Sequence, residues 1–219
     1  MEAMTLGTRR WGAATSQVVR ALTLRPTPSL QVDLAQEFGV SQPRISQIGR
    51  LLSAEGVRFA EVHEADQRAL LAYLYVAHHR PQVLRETYWY GLDRQLEQAE
   101  LAAERLEATG AHVVVSADAG PDYVAPYRSP TLSVVYSDTP PDLGAVGFVP
   151  ALGLGDASIV VREVTDPSLL EPWAPPRAAP FPVAHPLQQV WDLCHLGGVD
   201  RKEAADRVVR YLVMHPEER

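Results

Sequence analysis

The stretch QVDLAQEFGVSQPRISQIGR, residues 31–50, decides the fold of the first part of this chain. Its spacing predicts two short helices joined by a turn. Gly39 falls where the first helix must end, a position that commonly needs a left-handed backbone conformation. Ser41 suits the N-cap of the second helix, and Pro43 suits its first turn. The residues expected to pack between the two helices are apolar or small: Leu34, Ala35, Val40, Ile45 and Ile48.

This pattern is typical of a helix-turn-helix that reads DNA. If Ile45 and Ile48 point inward, helical geometry turns the polar side chains of the second helix outward. Gln can pair with adenine and Arg with guanine in the major groove, and recognition helices use their N-terminal residues for base contacts. We expect base contacts from Gln42, Arg44 and Gln47. We expect Ser41, Ser46 and Arg50 to contact phosphates or to set the register. The alternative is an ordinary helical hairpin with a solvated polar face.

Bulk composition indicates an ordinary globular protein. The chain has 219 residues, 46% of them hydrophobic, which is enough for two modest domains. No apolar run approaches the ~20 residues of a membrane span, and the N-terminus lacks the pattern of a secretion signal. We therefore expect a cytoplasmic protein without a membrane partner. The single cysteine, Cys194, cannot form an internal disulfide or anchor a cysteine-based zinc site, and we expect it to be buried.

Charge is distributed unevenly along the chain. The net charge is −7, but residues 1–60 hold seven Arg against four acidic residues, a balance of +3. The remaining residues 61–219 therefore carry −10. This asymmetry favours a DNA-reading head on an acidic body. Because +3 is weakly basic, one head should bind poorly at physiological salt, and we expect a homo-oligomer or cooperative assembly on double-stranded DNA.

Other helices complete the predicted head, residues 1–80. Thr15–Leu24 reads as a first helix, and Glu64–Arg80 as a helix after the recognition helix. Val57–Val62 reads as a strand, on which Arg58 is the one basic residue that could reach a DNA backbone. A winged helix would need a second strand and a tight turn, which are not evident. The wing is therefore vestigial, or the strand pairs elsewhere.

Residues 81–219 have a mixed α/β pattern, so the expected fold class is α+β. Leu92–Thr109 predicts a helix capped by Asp93 and ended by Gly110. Three buried strands are expected at Ala111–Ser116, Thr131–Tyr136 and Ser158–Val164. A proline-dense segment, residues 171–186, should be extended. Two helices close the chain, Pro186–Leu196 and Asp200–Val213, the second opening with a cap-like Asp200 and Glu203.

The order of these parts resembles a known family. The head is followed by ETYWYGLD (residues 86–93), SADAGPDYVAPYRSPTLSVVY (116–136), GFVP (147–150) and VAHPLQQVWDLCHLGGVDRKEAADRVVRYL (183–212). The chain thereby resembles the AbiEi-like antitoxins and transcriptional regulators of type IV toxin-antitoxin systems, of the actinobacterial type. The resemblance implies a winged-helix-type DNA-binding domain joined to an α/β domain, and repression of an operon promoter. For true antitoxins it also implies neutralisation of a nucleotidyltransferase toxin.

Catalytic and metal-binding patterns are weak, and we expect no enzyme, cofactor or metal site. Asp118 and Asp122 lie in a turn without the glycine-serine element and strand carboxylates of a nucleotidyltransferase. The adjacent His78 and His79 point about 100° apart on a helix and make a poor metal site. Arg201, Lys202, Arg207 and Arg210 favour a solvated face with helical ion pairs over a second binding surface.

Three functional hypotheses stay open at this point. The first is a sequence-specific DNA-binding repressor. The second is an antitoxin-type interaction protein that acts mainly through residues 81–219. The third is a ligand-responsive regulator or an enzyme with a pocket around Asp118 and the aromatic cluster Tyr88, Trp89 and Tyr90. Those aromatics are more typical of packing between domains than of ligand stacking.

Overall fold

The computed structural model describes residues 10–215. The chain divides into two compact units, of which residues 10–80 and 81–215 are described. Across these residues the fold is α+β, as predicted, with seven α-helices and a five-stranded mixed sheet.

The N-terminal unit is helical throughout its described part. Its helices are α1 (Ala13–Leu24), α2 (Gln31–Glu37), α3 (Gln42–Ala54) and α4 (Ala65–His78). α1 ends at Leu24. The next residue, Arg25, has an extended backbone because the following Pro26 disfavours a helical conformation there. The core consists of fully or almost fully buried apolar side chains from all four helices: Val18, Leu22, Leu34, Ile45, Ile48, Leu52, Leu71 and Tyr75.

The strand predicted at Val57–Val62 is wrong. This segment contains a short 3-10 helix, Phe59–Glu61, and no strand lies within residues 10–80. Val57 and Val62 are buried, as a strand would also bury them. However, its backbone groups form local hydrogen bonds instead of pairing with another strand. The Arg58 N–H donates to Gln67 Oε1 at 2.7 Å, and the Glu61 N–H donates to the Arg58 carbonyl at 2.8 Å. The described part of this unit therefore contains no wing.

The C-terminal unit is built on a mixed sheet. Its strands are β1 (Val83–Tyr90), β2 (Val113–Ala117), β3 (Ser133–Ser137), β4 (Val149–Pro150) and β5 (Ile159–Val164), in the order β2-β3-β5-β1-β4. The β3–β5 pair is parallel and the other pairs are antiparallel. Three helices accompany the sheet: α5 (Gln95–Glu107), α6 (Pro186–Leu196) and α7 (Val199–Met214).

The two halves of this sheet differ in burial. Every residue of β2 and β3 is buried, because α5 packs against both strands and α6 packs against β2. The extended segment around Val183 lies along the outer edge of β2, where the Val115 N–H donates to the Pro182 carbonyl at 2.7 Å. By contrast, β1 is mostly half-buried or exposed, and both residues of β4 are exposed.

The three predicted strands are confirmed as β2, β3 and β5, and the predicted helices as α5, α6 and α7. Four details are wrong. β1 was not predicted, and its aromatic residues lie on this strand. The residues before α5 and α7 are Arg94 and Gly198, so Asp93 and Asp200 do not cap these helices. Cys194 is exposed, because the buried face of α6 is formed by Val190, Trp191 and Leu193.

Candidate nucleic-acid interface

The exposed face of α3 is set by the side chains that anchor the opposite face. Ile45, Ile48 and Leu52 are at most 1% exposed, so their burial fixes the rotation of the helix about its axis. The remaining polar residues then divide by exposure. Gln42, Arg44, Gln47 and Arg50 are exposed, and Ser46 is half-buried. Four of the five polar α3 residues predicted from the sequence therefore face solvent fully.

The turn between α2 and α3 has the predicted glycine geometry. Gly39 has a φ of +60°, the left-handed region that L side chains rarely adopt. The N–H groups of Phe38 and Val40 donate to the Leu34 and Ala35 carbonyls at 3.1 and 3.0 Å, which closes the end of α2. Ser41 occupies the N-cap position of α3, but its side chain makes no capping hydrogen bond. Its exposed side chain therefore does not stabilise the helix end.

Arginines in this unit differ in whether a carboxylate neutralises them. Arg25 pairs with Glu37 of α2. Arg10, Arg44 and Arg50 are exposed and form no ion pair within residues 10–215. α3 itself contains no acidic residue. The Arg44 guanidinium instead donates to Gln47 Oε1 at 3.4 Å, so two predicted base-reading residues lie side by side.

Arg58, predicted to reach a DNA backbone, lies within a carboxylate cluster. Its guanidinium pairs with Glu61, with Asp66 at 3.0 Å and with Glu64 at 3.5 Å. The hydrogen bonds that Arg58 donates to Glu61 and Asp66 raise the pKa of its guanidinium. Any phosphate approaching this guanidinium would meet three negative charges as well. Of the seven predicted DNA contacts, Arg58 has the least favourable surroundings.

A cleft of about 520 Å³ opens beside α3. Arg44, Gln47 and Arg50 line it from α3, spaced three residues apart along one side of the helix, and Arg10 lines it from the segment before α1. Trp11, Ile48, Leu51 and Ala54 add apolar surface, and Gly12 and Thr15 complete the lining. Among residues 10–215, the lining contains arginines but no aspartate or glutamate.

The carboxylates that might have served catalysis are engaged in structure. Asp118 follows Ala117, a non-glycine residue with a φ of +62°, and its side chain is fully buried. Arg201 donates to both carboxylate oxygens, at 2.8 and 3.0 Å, and Thr131 and Leu132 donate to it as well. Burial raises the pKa of Asp118, but the hydrogen bonds and charge of Arg201, the Thr131 N–H and the charge of Arg128 together outweigh that effect and lower the pKa. Through these hydrogen bonds the Asp118 carboxylate links the end of β2 to the loop before β3 and to α7.

A second buried network was not predicted from the sequence. Asp192, on α6, is fully buried and accepts hydrogen bonds from Ser116 Oγ at 2.6 Å and Tyr136 OH at 2.9 Å. It also pairs with Arg162, which donates to Glu86 at 2.6 Å. Burial and the charge of Asp192 raise the pKa of Tyr136, so the phenol stays protonated. The bonds to Asp192 join residues 30 to 76 positions apart, and no local motif could reveal them.

The remaining candidate groups do not converge on one site. His78 and His79 are buried in the N-terminal unit, stacked on Trp11 and Tyr75 respectively. Cavities beside Asp118 and Asp122 are not lined by the aromatic cluster of β1. Among residues 10–215, no three His, Cys, Asp or Glu side chains lie together as a metal ion would require. No helix in the same range is long and apolar enough to cross a bilayer.

The predicted polar face of α7 is partly confirmed. Arg207 and Arg210 both pair with Glu203, at 3.5 and 3.3 Å, which is the helical pairing expected of a solvated face. Arg201 differs, because it turns inward to Asp118. Arg201 therefore links α7 to the buried Asp118, whereas Arg207 and Arg210 form surface ion pairs.

No protein-family model, curated protein or solved structure matches this chain.

Proposed function

We propose that this chain is a sequence-specific DNA-binding transcriptional regulator that represses by occupying its site. The single observation that supports this proposal best is the exposed face of α3, which combines Gln42, Arg44, Gln47 and Arg50. Within residues 10–215 its arginines have no carboxylate partner. By contrast, Arg58 in the same unit is paired with Glu61 and Asp66. The exposed arginines of this unit therefore differ in whether a carboxylate neutralises their charge.

Each residue on this face has a distinct proposed role. Gln42 and Gln47 offer amides that can pair with adenine, and Arg44 can pair with guanine. Arg50, one turn further along, contacts a phosphate, and Ser41 and Ser46 contribute hydroxyl groups at the edge of the interface. In this model α3 enters the major groove, and polymerase is excluded from the promoter while the site is occupied.

The proposal predicts that Arg44→Ala with Gln47→Ala abolishes sequence preference. We would measure fluorescence anisotropy with the DNA upstream of the gene and with a scrambled duplex of equal length. Each bidentate base contact contributes about 1–3 kcal/mol of discrimination, so the double variant should lose about 100-fold or more in specific affinity. Its affinity for the scrambled duplex should change far less.

Arg58→Ala is the matched control for this experiment. It also removes an exposed arginine of the same unit, but one that is already paired with carboxylates. We expect it to retain sequence preference. If the double variant discriminates between the two duplexes as well as the unchanged protein does, base reading by α3 is wrong.

The exposed apolar residues at the β4 end of the sheet suggest a role in protein association. Nine large hydrophobic residues of the C-terminal unit are exposed. Five of them lie in or beside β4 and the end of β1 that pairs with it: Tyr90, Leu92, Val149, Leu152 and Leu154. Their exposed fractions run from 42% to 99%. Grouped apolar residues on a surface mark interaction sites more often than scattered ones do. We propose that a second copy of the chain binds here, which would supply the second DNA-binding head.

Light scattering during gel filtration tests this association. Val149→Asp with Leu152→Asp should convert a dimer into a monomer. Val199→Asp, at a residue that is also exposed but lies on α7, should not. A monomeric unchanged protein would contradict self-association. Copurification with the product of a toxin-like downstream reading frame, lost in the same double variant, would instead support the antitoxin alternative implied by the family resemblance.

A further inference from the structure

We propose that the cleft between α3 and the segment before α1 is a phosphate-binding site, with Arg10, Arg44 and Arg50 supplying the charge. The ligand is a phosphate group, either from the backbone of bound DNA or from a free polyphosphate such as that of a nucleotide. The DNA case rests on the proposed function, whereas the free polyphosphate case does not.

The first argument is the charge of the lining. Three arginines line one cleft of about 520 Å³, and no lining residue between positions 10 and 215 is acidic. Within residues 10–215 none of the three arginines has a carboxylate partner. Guanidinium groups match phosphate oxygens with paired N–H donors, so a cleft of this composition is complementary to phosphate rather than to a carboxamide or a cation.

The second argument is that Arg10 is held in place by its neighbour. The Trp11 N–H donates to the His78 carbonyl at 3.1 Å, and the indole stacks on the His78 ring at 5.3 Å between centroids. Trp11 is only 6% exposed. The chain at residue 10 is therefore fixed beside α4, and Arg10 is not a freely moving tail. Because the backbone beside Arg10 is already held, less conformational freedom is lost when its side chain binds a ligand.

The third argument is the position of the Arg44 guanidinium beside Gly12. A Cβ built at this position would lie 4.0 Å from Arg44 Nη2, in ordinary contact. The Arg44 guanidinium thus lies over the start of α1, so one phosphate could contact groups from α3 and from the α1 segment together. Arg44 and Gln47 belong both to this cleft and to the proposed base-reading face. A ligand in the cleft would therefore either continue the DNA interface or compete with it.

The experiment uses the full chain, with Arg10→Gln as the test and Arg80→Gln as the matched control. Arg80 is also exposed in this unit, but it donates to the Val76 and His79 carbonyls and does not line the cleft. In the DNA arm, binding to the upstream and scrambled duplexes is measured between about 50 and 200 mM salt. If Arg10→Gln loses one phosphate contact, its binding to both duplexes should weaken similarly. The slope of log K against log salt should fall in magnitude by about 0.9.

The second arm measures sodium tripolyphosphate binding by titration calorimetry without DNA. If the cleft takes a free polyphosphate, the unchanged protein binds it, Arg10→Gln weakens binding at least tenfold, and tripolyphosphate displaces DNA. A reduced DNA salt slope without tripolyphosphate binding identifies the DNA backbone as the source. Thermal denaturation of both variants confirms that they remain folded.

The outcomes separate this inference from the proposed function. If the unchanged protein binds DNA and Arg10→Gln behaves like Arg80→Gln in both arms, the phosphate site is wrong while the DNA-binding function stands. If the unchanged protein binds no DNA, the proposed function fails. Tripolyphosphate binding then still tests the phosphate site. If both variants bind tripolyphosphate equally, or neither binds it, the proposed site is wrong.

Discussion

Arginines in the two units of this chain have opposite surroundings. In the C-terminal unit Arg162 and Arg201 each pair with a carboxylate whose side chain is fully buried, Asp192 and Asp118. On α3 of the N-terminal unit, Arg44 and Arg50 are exposed and have no such partner among residues 10–215. A buried arginine–carboxylate pair fixes the fold, whereas an unpaired arginine on a helix face has its charge available for an external ligand.

The largest effect should follow Asp192→Ala. This change leaves the Arg162 guanidinium, only 10% exposed, without its buried partner. Removing one member of a buried ion pair typically lowers the free energy of unfolding by about 3–5 kcal/mol. Urea denaturation followed by circular dichroism measures it. Ser116→Ala removes only one hydrogen bond to the same carboxylate and should cost about 1 kcal/mol. Equal unfolding free energies for Asp192→Ala and the unchanged protein would contradict the structural role of the buried Arg162–Asp192 pair.

A smaller effect, and a dependence on pH, should follow Arg201→Ala. Asp118 keeps its bonds from Thr131 and Leu132, and Arg128 lies 3.6 Å away, so we expect a loss of about 2–3 kcal/mol at pH 7. The folded pKa of Asp118 is lowered, so its stabilising contribution is complete above its unfolded pKa of about 3.9. That contribution disappears as pH falls through the lower folded pKa.

Urea denaturation of Arg201→Ala and the unchanged protein at several pH values checks this sign. The difference in unfolding free energy between them should be constant near neutral pH and should shrink in acid as Asp118 is protonated. A difference that grows with acidity would contradict the assigned direction. The Glu203→Ala variant provides a surface control, because its ion pairs with Arg207 and Arg210 are solvent-exposed and contribute little.

The sequence could predict α2, the turn and α3 because their signals are local. Apolar spacing identifies the buried face, and Gly39 marks the left-handed turn. The same holds for β2, β3 and β5, whose continuous apolar runs match strands buried on both faces. Exposure of the predicted α3 residues follows directly from the burial of Ile45 and Ile48.

What could not be predicted depends on contacts between distant residues. β1, with the sequence VLRETYWY, contains polar residues in its centre and is largely exposed, so it lacks the apolar pattern of the other strands. It forms because β5 pairs with it over most of its length. Val57–Val62 shows the reverse case: apolar ends suggested a strand, but no partner strand lies in that unit within residues 10–80. The Asp192 network likewise joins residues that only the folded chain brings together.

The smallest change in stability should follow Arg50→Ala, with Arg44→Ala beside it. Neither side chain has a carboxylate partner within residues 10–215, and both are exposed, so the free energy of unfolding should stay within about 0.5 kcal/mol of the unchanged protein. The same urea denaturation measures this. DNA affinity should nevertheless fall in both variants, and the salt slope should drop by about 0.9 in Arg50→Ala if it contacts one phosphate.

This separation of stability from binding distinguishes the two kinds of arginine more sharply than either measurement alone. Arg201→Ala should lose stability and keep its intrinsic affinity for DNA wherever the protein is folded, whereas Arg50→Ala should do the opposite. If Arg50→Ala destabilises the chain by as much as Arg201→Ala, Arg50 has a structural role, and the unpaired charge on α3 no longer argues for a ligand. If it changes neither quantity, α3 is an ordinary solvated helix, and the proposed DNA interface loses its main support.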